Sequence, residues 1–319
     1  MKKQLFLLGV AVAALASCTN EEVVYVAQNR AIQFGSFVNN TTKAVDATTT
    51  TEVEGGAFYV IGYWSADATT YNTTDKVHKN ELASSVTYYW EDNKYYAFGA
   101  YKDGTIGTQL AGAEFVSADL QLKISDYVVG NKDLVGAVSS KIGPVTAATQ
   151  QAVPLTFKHL LSQVQFKFTT DEADGYTINI TDVKFTTFSK GTCIHTASAT
   201  TWQAGTDTNE FNFGDVQNIT NETTNGIAGP VLVLPHQATN LEVSFKASIE
   251  GNGIIKKEKD ITVTLASIDW MPNNRYQYST VIKMEHIAEA YPIEFTSTVS
   301  DWDTDFTNNT DVTPDTTTP

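Results

Sequence analysis

Cysteine is almost missing from this chain of 319 residues: only Cys18 and Cys193 occur. Two cysteines cannot build a disulfide framework, and no Cys-x-x-Cys spacing is present for a redox or zinc site. Positive charge is scarce too, with 21 Lys and Arg against 36 Asp and Glu, for a formal net charge of −15. So acidic a chain is a poor partner for nucleic acid or anionic headgroups and stays soluble at a crowded surface. There is no Gly-rich phosphate loop and no Gly-x-Ser-x-Gly elbow. The five histidines, His78, His159, His195, His236 and His286, include no His-x-x-x-His spacing. Asp301-Trp302-Asp303-Thr304-Asp305 copies the opening of a calcium loop but has Phe306 where glycine is needed and Val312 where a bidentate Glu is needed. No catalytic group, cofactor or metal is expected, and the reading is of a non-enzyme.

What is present begins with a signal. Met1-Lys2-Lys3 is a positive start, and residues 5–16 are apolar. That run is about 12 residues where a spanning helix takes ~20, so residues 1–17 read as a cleavable signal peptide. Leu15-Ala16-Ser17-Cys18 resembles the bacterial lipobox, which implies that Cys18 is diacylated and becomes the mature N-terminus. Two or three acyl chains hold a protein firmly where one does not. Thr19-Asn20-Glu21-Glu22 is similar to the surface-export signal of some Gram-negative anaerobes. The expected location is the cell outer membrane, surface-exposed and anchored through lipid on Cys18. Cys193 is then left without a partner and is expected to be a small buried residue.

The body of the chain reads as strand. Thr, Tyr, Val and Phe are abundant, and no long stretch follows a 3.6-residue period. Expected strands in the first half are 57–64, 86–90, 94–101, 114–117, 120–124 and 133–139, with 86–90 and 94–101 joined as a hairpin through Glu91-Asp92-Asn93. In the second half they are 162–168, 176–188, 230–234, 241–249, 254–265, 276–283 and 292–299. The cleanest is 241–249, where Leu241, Val243, Phe245, Ala247 and Ile249 alternate with polar residues and a Glu250-Gly251-Asn252-Gly253 turn follows. Many short strands separated by turn signals argue two tandem antiparallel β-sandwiches. The expected division is 1–17 signal, 18–54 anchor segment, first strand and linker, 55–150 first domain, 151–303 second domain, and 304–319 a disordered Thr/Asp-rich tail.

The first strand is the segment AIQFGSFVNNTTKA, ending at Lys43-Ala44. Ile32, Phe34 and Val38 fall on one face of a period-2 strand and Phe37 on the other. It reads either as an ordinary first strand or as a removable one whose loss opens a groove.

Phe157-Lys158-His159-Leu160-Leu161-Ser162 resembles the Phe-x-His-x-x-Ser stretch of the fimbrillin family, the lipoprotein-derived subunits of type V pili. The first-strand segment, Asn274-Arg275-Tyr276-Gln277-Tyr278 and Val299-Ser300-Asp301-Trp302 fit as well. The resemblance implies two transthyretin-like β-sandwich domains, a place in the fimbrium, other fimbrial subunits as partners and a role in adhesion. It further implies that a trypsin-like, typically Arg-specific protease removes the first strand. The vacated groove would then accept a C-terminal strand of the next subunit. By position the processed bond is Lys43-Ala44, with Arg30-Ala31 as the alternative, and Ile293, Phe295 and Val299 form the possible donor face. Lysine stands where the protease prefers arginine, and a cut after Arg30 would leave the strand in place. The polar extension beyond Trp302 is unlike a donor, which leaves room for a tip, accessory or anchored subunit. His159 reads as a hydrogen-bonded structural residue. The other reading is a surface lipoprotein that binds glycans through exposed Tyr88, Tyr89, Trp90, Tyr95 and Tyr96, with a host or bacterial surface ligand as its partner.

Overall fold

β-branched and aromatic side chains favour extended backbone, and the computed structural model of this protein is almost entirely strand. It describes residues 30–38, 57–67, 69–72, 77–104, 109–146, 151–223, 226–251, 253–289 and 291–302. In chain order the first strands are β1 (Phe34–Val38), β2 (Tyr59–Ser65), β3 (Tyr71–Asn72), β4 (His78–Leu82), β5 (Tyr95–Asp103), β6 (Ala113–Val116), β7 (Gln121–Val128), β8 (Leu134–Val138) and β9 (Val153–His159). Then come β10 (Ser162–Thr169), β11 (Tyr176–Phe188), β12 (Lys190–His195), β13 (Thr200–Ala204), β14 (Thr208–Ile219), β15 (Gly226–Val233), β16 (Gln237–Ala238), β17 (Glu242–Gly251), β18 (Ile254–Thr264), β19 (Ile268–Asp269) and β20 (Asn274–Val281). A short helix, α1 (Met284–Ala288), precedes β21 (Thr296–Asp301).

A seven-stranded sheet has the order β1-β9-β8-β5-β2-β3, with β4 also on β2. Four-stranded sheets of order β13-β12-β7-β6, β15-β10-β20-β21 and β14-β11-β17-β18 complete the layers. The central strands β2 and β5 are buried on both faces, so their apolar residues run on without alternation. Tyr59, Ile61 and Tyr63 face a large core that continues through the second half of the chain. Phe58, Val60, Phe98, Ala100, Val135, Ala137, Val153, Leu155 and Phe157 form a separate inner core. Gly62 is required between them, because a Cβ there would stand 2.5 Å from the Phe98 ring.

The alternating segment 241–249 and its return strand form the β17–β18 hairpin, with Leu241, Val243, Phe245, Ala247 and Ile249 all buried. Other expectations are corrected. Residues 86–90 make only an isolated bridge, from Tyr89 to Ala31, and β5 pairs with β2 and β8, so the expected hairpin to 94–101 does not form. The main chain of Tyr88 and Trp90 bonds to Ile32 and Arg30 instead. Two pairings are parallel, β1 with β9 and β10 with β20, within an otherwise antiparallel architecture. The expected strand 292–299 begins only at Thr296. Strands β3, β4, β9, β12, β13, β14, β16 and β19 lie outside the expected ranges; threonines and exposed polar residues break the alternation of β13 and β14, whereas β9 buries Val153, Leu155, Phe157 and His159 at a strict period of two. The sheets also cross residue 150: β9 pairs with β8, and β12 pairs with β7.

Candidate functional site

Segment 30–38 lies between two neighbours and bonds to each through its main chain. On one side the Ile32 amide donates to the Tyr88 carbonyl at 2.8 Å, and the Trp90 amide donates to the Arg30 carbonyl at 2.8 Å. On the other, the Val153 amide donates to the Gln33 carbonyl at 2.7 Å, and β1 runs parallel to β9 with Phe34 opposite Val153. The seven-stranded sheet therefore closes over the inner core through this one segment. Ile32 is 7% exposed within that core. The half-buried Phe34 packs edge-on to Phe58 at 5.9 Å and Phe98 at 5.3 Å, and its ring lies 5.4 Å from His78. Full burial of one such side chain stabilises by roughly 1.5–3 kcal/mol. Phe37 and Val38 belong to β1, opposite Thr156 and Phe157, but their side chains lie outside the described residues.

Segment 30–38 is pinned at Arg30. Its Nε donates to the Trp90 carbonyl at 3.2 Å, and its guanidinium pairs with Asp92 at 2.8 Å. Both flanks of the Arg30-Ala31 bond are thus held, Arg30 by its carbonyl and side chain and Ala31 by its bridge to Tyr89. Cys18, Lys43 and Ala44 lie outside the described residues, as do the signal segment and the tail 304–319.

The Phe-x-His-x-x-Ser stretch forms the joint between β9 and β10. Phe157 is in the inner core, and the Ser162 hydroxyl donates to the Met271 carbonyl at 2.8 Å. His159 Nδ1 is 2.7 Å from Asp133 Oδ2, with both side chains inaccessible to solvent. A carboxylate only accepts, so Nδ1 carries the proton in that bond. The ring stacks on Trp302 at 4.4 Å, and the Trp202 indole N–H donates to the Leu160 carbonyl at 2.6 Å. His159 is therefore a hydrogen-bonded structural residue that ties the two halves and the end of β21 together. The role of Asp133, Trp202 and Trp302 in this joint left no local mark in the sequence, since they lie far from His159 along the chain.

The C-terminal candidates are occupied at home. Ile293 is buried in the large core, Phe295 packs against Phe166 and Phe168, and Val299 sits on β21 opposite Tyr276 of β20. Of the aromatics named for glycan stacking, Trp90 and Tyr96 pack on each other at 4.8 Å in the inner core, 3% and 1% exposed, and Tyr89 is exposed. Cys193 is fully buried, and burial pushes its thiol pKa well above the usual range. Among the described residues no group of three His, Cys, Asp or Glu could hold a metal, and no helix is long and apolar enough to cross a membrane.

Comparison with known proteins gives a consistent picture. A family profile described as Fimbrillin-like matches residues 29–302. No curated protein matches the chain. Among solved structures, a fimbrial protein from Bacteroides vulgatus is 15% identical with a TM-score of 0.56, covering 86% of this chain and 99% of its own. A candidate cell adhesion protein from Bacteroides uniformis is 16% identical with a TM-score of 0.44, over 85% and 98%. The fimbrial anchor protein Mfa2 from Porphyromonas gingivalis is 8% identical with a TM-score of 0.34, over 83% and 96%.

Proposed function

Because this chain belongs to the fimbrillin-like family, we propose that it is a fimbrial subunit, or an accessory or tip component of a fimbrium, that serves adhesion at the cell surface. It is exported as a lipoprotein through Cys18, and its partners are other fimbrial subunits. Assembly proceeds by strand exchange: the first strand is removed after Lys43, and the vacated groove takes a strand from the next subunit.

The observation that carries the reading is the way segment 30–38 closes the inner core. It contributes main-chain bonds on both sides and only two described apolar anchors, Ile32 and Phe34. An incoming strand with apolar residues two apart could restore the same bonds and fill the same space. Two or three apolar side chains at ~1.5–3 kcal/mol each rival the ~5–15 kcal/mol stability of a domain, so an unfilled groove would not persist. Donation from one subunit to the next does not close on itself and gives a filament. Residues 292–302 are packed into their own sheet and core in this conformation, so the donor must first detach β21 or come from another partner.

N-terminal mass spectrometry of protein recovered from surface fibres tests this. An Ala44 start is expected. An Ala31 start would mean that the lipid is lost while the strand is kept, and an intact acylated Cys18 in fibre-bound protein would sink the removable-strand mechanism.

A further inference from the structure

His78 sits on β4, 1% exposed, against the strand that closes the inner core. Its ring centroid is 5.4 Å from Phe34, 4.4 Å from Tyr88 and 6.3 Å from Phe98. Neither ring nitrogen has a hydrogen-bond partner. Nδ1 stands 3.5 Å from Glu81 Oε1, at the long limit for a hydrogen bond. Tyr88 faces the same carboxylate, and burial together with that contact pushes its hydroxyl pKa up to about 12. From β1 the contact is Phe34 and from β5 it is Phe98, and neither titrates. Arg30 and Asp92, the charges near the start of the segment, are paired with each other. A proton on His78 would therefore lose its water with one carboxylate at the edge of reach to offset the loss.

We propose that His78 makes the seating of the first strand proton-sensitive: segment 30–38 closes over a neutral imidazole, and protonation in mildly acidic surroundings favours the opened core. The geometry is independent of whether the strand is exchanged between subunits. Burial lowers the His78 pKa from 6.5 to about 4, with Glu81 acting in the opposite direction. The opened state, with the ring in water, binds the proton at a pKa of ~6.5. The closed state therefore holds fewer protons. Closure is at full strength above pH ~6.5 and weakens as pH falls toward about 4. Between pH 7.5 and 5.5 the ratio of open to closed should rise about tenfold.

Amide hydrogen exchange on the full chain reads this directly. The Ile32, Trp90 and Val153 amides all bond across the seam. Peptides covering them, with rates corrected for the intrinsic pH dependence of exchange, should lose about tenfold in protection between pH 7.5 and 5.5. Val243, Phe245 and Ala247 of β17, in another sheet, report how acidification acts on the rest of the fold, to which the buried His195 also contributes, and the effect of His78 is read as the difference between the wild type and its His78 variants. His78→Phe keeps an aromatic ring without a titrating group and should abolish the loss; His78→Gln supplies the same comparison if the phenylalanine variant does not fold. Equal protection at the two pH values in the wild type would overturn the proposal. So would an equal loss at the seam in the substituted proteins, which would place the acid sensitivity in another group.

Discussion

Replacing both Ile32 and Phe34 with alanine should open the inner core while leaving the rest of the fold intact. Ile32 is 7% exposed, so Ile32→Ala removes buried methyl groups from an enclosed site. Such truncations cost about 2–5 kcal/mol. Phe34 is half-buried against Phe58 and Phe98, which scales the ~3–5 kcal/mol of a fully buried phenylalanine to about 2 kcal/mol. The residues share neighbours, so the pair should cost about 4–6 kcal/mol rather than a strict sum. That is comparable with the stability of a whole domain, ~5–15 kcal/mol. Urea unfolding followed by tryptophan fluorescence suits the question, since Trp90 is buried in the same core. The variant should show an early transition reporting on Trp90, followed by one near the wild-type midpoint. Gln33→Ala, at an exposed position between them, should shift stability by no more than ~0.5 kcal/mol. A loss below ~1 kcal/mol for the double variant would refute the reasoning, because the segment would then not be what keeps the inner core closed.

The Arg30-Ala31 bond should resist trypsin in the folded protein, and Asp92→Ala should raise cleavage there a few-fold by freeing the guanidinium; equal rates measured by peptide mapping would contradict this. At the joint, Asp133→Leu alone should cost ~1–3 kcal/mol by leaving the buried His159 Nδ1–H without its acceptor. Asp133→Leu with His159→Phe should recover most of that loss in denaturation experiments, and a purely additive double-mutant cycle would show the pair to be uncoupled. His195 is 1% exposed and burial lowers its pKa to about 4. Its contribution is complete above pH ~6.5 and is lost as pH falls toward about 4, reaching roughly 3 kcal/mol at the acid end. His195→Gln should flatten that part of the stability profile, and an unchanged profile would assign the acid sensitivity elsewhere.

Local pattern carried much of the architecture. In 241–265, strict alternation and a glycine-rich turn specify a half-buried hairpin, and β17 with β18 forms there. Ile32 and Phe34 were legible as one face of a strand for the same reason: a period of two is written in adjacent residues. Cys193, expected as a small buried residue because a free cysteine behaves as a small hydrophobe, is buried. Where alternation was diluted, reading failed. β13 has no fully buried side chain, and β14 buries Phe211, Phe213, Val216 and Ile219 at uneven spacings of two and three, so neither keeps a period of two along its length. Conversely, 86–90 carries strand-like aromatics whose partner is segment 30–32 rather than the neighbouring strand.

By itself, then, the sequence determined an acidic all-β chain, the position of its most regular hairpin and the presence of an apolar strand before a polar linker. Only the tertiary structure decided what that strand does. Its parallel partner β9 is more than a hundred residues away, as the pairing of Phe34 with Val153 shows. Tyr88 and Trp90 complete the seam from a third place. The same holds for Gln165 of β10, a polar residue between Val164 and Phe166, which is buried and hydrogen-bonded to Gln277 at 2.7 Å. Side-chain periodicity states that a residue has a face, but which surface meets that face depends on pairings whose sequence separation leaves no local trace.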